Sequence, residues 1–157
     1  MKMNKKTFNT ILWGAFAVYL LVLLYILFLS RPPRLQYSVL EYFTMKMNLI
    51  PLSTILHYIS ICAYGYLTLA VKNLVGNFLL FLPMGALLPF LFGKINKFYK
   101  VVLIVASSVL LVEILQGLLR VGTPDVDDLI LNLAGAMLGY AITKLPLISK
   151  TLKKISD

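Results

Sequence analysis

Cysteine, histidine and acidic side chains are all scarce in this chain, and each shortage removes a class of function. A single cysteine, Cys62, allows no intramolecular disulfide and no thiolate metal site. It reads as a small apolar filler. A single histidine, His57, reads as a satisfied interfacial side chain, and no spacing of acids and carbonyls around it points to a metal. No metal ion and no cofactor is expected. No small-x-small cleavage site precedes Arg31, and the uncharged run 7–30 is too long for a signal peptide, so it reads as an uncleaved first span. Charged residues make up only 13% of the 157 residues and hydrophobic ones 60%, far from a soluble domain and close to a polytopic membrane protein.

What charge there is has one sign. A net +9 in a soluble protein would suggest nucleic acid. Beside such long apolar runs it suits lysines flanking membrane spans at the cytoplasmic face, so the expected partner is the lipid bilayer and not nucleic acid. The pattern predicts an all-α, polytopic fold in one domain, residues 1–157. Four transmembrane helices are expected at about 7–30, 74–92, 101–119 and 125–145, with an amphipathic extracellular linker at 31–73. Arg31-Pro32-Pro33-Arg34 ends the first helix, because consecutive prolines cannot continue the hydrogen-bond ladder. Within the linker, 54–71 is long enough to span. Its tyrosines and small polar residues suit an interface better, so it reads as one or two amphipathic helices on, or dipping into, the outer surface. Pro83 should kink the second span.

Basic residues orient the bundle. With a cytoplasmic N-terminus, Lys2, Lys5, Lys6, Lys94, Lys97, Lys100, Lys144, Lys150, Lys153 and Lys154 lie inside, and Arg31, Arg34, Lys46, Lys72 and Arg120 lie outside. That asymmetry places both termini in the cytoplasm.

Four of the six acids lie between Glu113 and Gly139. On a helix, Glu113, Gln116 and Arg120 share a face, and after a short turn so do Asp128, Asn132, Gly135 and Gly139. At 1.5 Å per residue, Glu113 and Asn132 sit roughly 10 Å below the outer surface, level with Asn77. Asn77, Glu113, Gln116, Arg120, Asp125, Asp128 and Asn132 are therefore the candidate pocket residues. A carboxylate within a span costs about 2.5–3.5 kcal/mol, so Glu113 should be paired or neutral; locking the bundle through a neighbouring amide is its structural alternative. Thr123-Pro124 suits a helix start, and aspartates in the first turn favour the helix dipole, which accounts for some of the acidic run. Gly85, Gly135 and Gly139 suit close helix packing.

These residues resemble the VanZ-like family of small bacterial membrane proteins. The blocks are Asn48-Leu49-Ile50-Pro51, Gly76 to Gly85, Glu113-x-x-Gln116, Asp125-x-x-Asp128-x-x-x-Asn132 and Gly135-x-x-x-Gly139, in that order. Leu52 departs from the phenylalanine usual in the family. The resemblance implies a multi-pass membrane protein of a Gram-positive cell envelope, in a family with a member linked to resistance to the antibiotic teicoplanin. It supplies no catalytic residues. The leading expectation is non-enzymatic: an outer-leaflet pocket for a lipid-linked or lipid-tailed envelope molecule, with Arg120, and Lys72 or Arg34, meeting phosphate or carboxylate. The alternatives are a membrane-embedded enzyme on lipid-linked cell-wall material, with Glu113 or Asp128 as general acid/base, and a scaffold for envelope enzymes. No nucleophile–base pair or phosphate loop supports the enzyme.

Overall fold

In lipid an uncharged run can satisfy its backbone only as a helix. The computed structural model, which describes residues 4–146, is helical throughout. Lys2, Lys150, Lys153 and Lys154 lie outside the described residues. Helix α1 (Lys5–Leu24) is capped by the Asn4 side chain and widens into a π-helical turn, Tyr25–Leu29, before the Arg-Pro-Pro-Arg run. Helix α2 (Val39–Lys46) starts with a capping box: the Ser38 N–H donates to Glu41 Oε2 at 2.7 Å, and the Glu41 N–H to Ser38 Oγ at 3.3 Å. Hydrogen bonding to the Ser38 backbone N–H first, and to the Ser38 side chain second, holds the Glu41 carboxyl below its usual range. Helix α3 (Ser53–Cys62) follows Leu52, a non-glycine residue at φ 67°.

The second span begins at Leu67, after a turn in which Gly65 takes φ 88°. The stretch 54–71 is thereby divided between the short α3 and the first turn of a membrane helix. This span is two helices, α4 (Leu67–Leu80) and α5 (Leu82–Leu91), broken at Phe81 (φ −100°, ψ 0°) because Pro83 lacks an N–H and restarts the ladder. The break explains a tyrosine deep in the first span: the Tyr19 hydroxyl donates to the Leu80 carbonyl at 2.9 Å. Helices α6 (Phe98–Leu119) and α7 (Val126–Lys144) complete four apolar helices long enough to cross a bilayer.

Helix α7 is central and packs on α4, α5 and α6. Lipid is as apolar as leucine, so helices associate through close packing, and small residues permit it. Gly135 lies against the Phe78 carbonyl, Gly139 against that of Leu82, and Gly85 against the backbone of Ala136; a Cβ at any of the three would overlap main chain. Across from them α6 buries Val101, Val105 and Val109, and the same i, i+4 face continues into Glu113. Outward-facing Leu103, Leu110, Leu111 and Leu118 are exposed, as suits acyl chains.

Candidate functional site

The site lies where the ends of α1 and α6, the linker and the second half of α4 meet the start of α7. Its frame is the turn between α6 and α7. There Asn48 forms a short parallel bridge with Asp125: the Asn48 N–H donates to the Pro124 carbonyl at 2.9 Å, and the Val126 N–H to the Asn48 carbonyl at 3.0 Å. The Asn48 amide reaches Asp125 Oδ1 at 3.0 Å, and the Thr54 hydroxyl donates to Asp125 Oδ2 at 2.6 Å. Asp125, not Thr123, caps α7, because its side chain accepts the Asp127 N–H at 2.9 Å.

Asp127 has a different task. Fully buried, it accepts the N–H groups of Leu52 at 2.5 Å, Thr54 at 2.8 Å and Ile55 at 3.0 Å. It supplies the N-terminal cap that α3 lacks in its own sequence, with a carboxylate at the positive end of the helix dipole. Asp128 turns the other way, receiving the Asn77 amide from α4. Three neighbouring carboxylates thus cap α7, cap α3 and face a cavity.

That cavity, about 230 Å³, is lined by Asn77, Glu113, Gln116, Asp125, Asp128 and Asn132 together with Arg31, Arg34, Thr54 and Tyr58. Six of the seven residues expected from the sequence meet there. Glu113 Oε2 accepts the Asp125 N–H at 3.0 Å, which ties α6 to the start of α7 and partners the intramembrane acid. Asn132, 4% exposed, carries a buried Oδ1 with no donor among the described residues. The Tyr58 hydroxyl titrates above its usual range, chiefly through burial and then through the charge of Asp128, with Arg31 opposing.

Arg120 is the exception. Helix α6 ends at Leu119, and Arg120 takes φ 57°, which turns its side chain off the Glu113–Gln116 face. Its Nη1 donates to the Tyr37 carbonyl at 2.8 Å, and its own carbonyl accepts the Arg34 N–H at 2.9 Å. Together with Gln116, whose Nε2 donates to Leu27 at 2.8 Å, it anchors the end of the first span and the linker. The cations at the cavity are instead Arg31 and Arg34. Arg31 was missed by sequence reasoning, although two arginines flanking a proline pair at a span end are a readable signal.

A second, larger cleft of about 680 Å³ adjoins the cavity, with α1 on one side and α4 on the other. Val22, Leu69, Leu79 and Pro83 make its walls apolar, and Lys72 stands among them. Arg31, Arg34, Tyr58, Asn73 and Asn77 line both spaces; Glu113, Asp125, Asp128 and Asn132 do not line the cleft.

The chain is similar to the protein VanZ of Enterococcus faecium, at 26% identity over 148 residues, covering 90% of this chain and 81% of that one. No solved structure matches it. The VanZ/LLP1 family profile matches residues 16–148, which includes all four apolar helices except the first turns of α1, and the chain belongs to the VanZ/LLP1 family.

Proposed function

We propose that this is a multi-pass protein of the bacterial cell membrane, with both termini cytoplasmic, that binds the polar end of a lipid-linked or lipid-tailed envelope molecule in the outer leaflet. The orientation rests on the lysine and arginine asymmetry. One observation carries the binding reading: the polar cavity and the apolar cleft lie side by side, with Arg31, Arg34 and Asn77 in the walls of both. Drug-sized ligand sites are about 300–1,000 Å³. The cleft falls in that range, while the cavity, at about 230 Å³, suits a head group and not a whole molecule. An acyl chain between α1 and α4 would leave its head among charged side chains without leaving the bilayer.

This reading extends to lipidated glycopeptides such as teicoplanin, on the resemblance described above: a protein that holds lipid-type molecules at the outer surface would alter susceptibility to a drug with an acyl tail. Native mass spectrometry of the full chain in mild detergent tests the binding. A retained phospholipid or lipid-phosphate mass is expected in the wild type, and less of it in Arg31→Ala/Arg34→Ala. A wild-type chain free of lipid, from a preparation that keeps its helical signal, overturns the reading.

A further inference from the structure

We infer that the head group held here is zwitterionic: a phosphate between Arg31 and Arg34, and beyond it a primary ammonium among Glu113, Asp128 and Asn132. The inference rests on the lipid-binding reading and names the ligand class for that same site.

The order of groups along the path carries it. From the cleft inward, a ligand meets apolar walls first (Val22, Leu69, Leu79) and the two arginines next, since they line both spaces. It meets the carboxylates last, since they line the cavity and not the cleft. Tail, phosphate and amine follow one another in the same order in an amine-bearing phospholipid.

The inner groups are also short of donors. Glu113 receives one hydrogen bond, from Asp125 to Oε2, and Asp128 one, from Asn77 to Oδ1. The second oxygen of each has no donor among the described residues. Asn132 Oδ1, on the same wall, has none either, although it is buried. A buried acceptor left unpaired carries its full desolvation cost. An ammonium brings three N–H donors on one atom, which matches three acceptors from α6 and α7. Neither arginine meets this need, because among the described residues no carboxylate lies within ion-pairing distance of Arg31 or Arg34. Each arginine keeps its guanidinium for an anion, the partner its fork suits.

The test compares three lipids with one acyl composition, each offered to the purified full chain and read by native mass spectrometry. They are phosphatidylethanolamine, its N-acetylated form, which keeps the phosphate but loses the cation, and phosphatidylglycerol. Retention of phosphatidylethanolamine should exceed that of the other two by about tenfold or more, the worth of a charge-assisted hydrogen bond. Glu113→Gln and Asp128→Asn should each bring that ratio toward one. Equal retention of all three lipids by the wild type overturns the ammonium assignment and leaves the lipid-binding reading standing. Retention of none overturns both. The wild-type ratio decides, so a variant that fails to fold does not rescue the assignment.

Discussion

The carboxylate of Asp127 accepts the backbone N–H of Leu52 at 2.5 Å, across 75 residues of sequence. The contact fastens the linker to the start of α7 and fixes α3 over the polar cavity, whose wall includes Thr54 and Tyr58 from the same segment.

Removing that carboxylate should cost stability before it costs binding chemistry. A buried donor left unpaired costs roughly 1–3 kcal/mol, and Asp127→Ala strands three. A loss of about 3 kcal/mol or more is expected in reversible unfolding by denaturing detergent. Asp127→Asn keeps two acceptor sites on one oxygen and should lose less. No change in the Asp127→Ala midpoint would show that the linker is not held this way.

The glycines divide by surroundings. Gly135→Leu pushes a side chain into the Phe78 carbonyl, where backbone leaves no room, so the loss should exceed the about 1–3 kcal/mol of ordinary overpacking. Gly14→Ala meets nothing within 4 Å and should be neutral, or stabilising by up to about 1 kcal/mol from helix propensity. Thermal unfolding in detergent separates the two, and equal midpoints would contradict the packing at α7.

Arg120 and Arg31 should separate by readout. Arg120→Ala loses the bond to Tyr37 and lowers the unfolding midpoint, because Arg120 positions the linker from outside the cavity. Arg31→Ala, at the junction of cavity and cleft, should leave the midpoint within about 0.5 kcal/mol and reduce lipid retention. The reverse pattern would restore Arg120 as the anion-binding residue.

Much of this layout is readable from sequence, for physical reasons. Four apolar runs must be helices in lipid, and glycines four apart mark a close face. The convergence of Glu113, Gln116 and Asn132 follows from counting residues down antiparallel helices, whereas Asn77 lies well inside a span that begins at Leu67 and not at the expected residue 74. Less readable was anything decided at a helix end. A single left-handed residue removed Arg120 from its face. Pro83 split a span that read as merely kinked. The division of labour among Asp125, Asp127 and Asp128 depends on α3 arriving from far along the chain, which periodicity does not report.

Orientation is open to a labelling experiment. In a Cys62→Ser background, a cysteine at Tyr64, 79% exposed between α3 and α4, should react with a membrane-impermeant maleimide in intact cells. A cysteine at Gly93, exposed in the loop between α5 and α6, should react only after permeabilisation. The opposite result would place the cavity at the cytoplasmic face.

Photo-crosslinking tests most directly whether a lipid tail occupies the cleft between α1 and α4. The full chain in lipid nanodiscs is irradiated with a phospholipid bearing a diazirine on its acyl chain, and labelled residues are mapped by peptide mass spectrometry. Val22 and Leu69 are 50% and 48% exposed, no more than Leu103 at 61% or Leu111 at 58% on the outward face of α6. Labelling concentrated at Val22, Leu69 and Leu79, and suppressed by excess unlabelled lipid, is the expected result. Labelling that simply follows exposure, with Leu103 and Leu111 marked as heavily as the cleft, would contradict it.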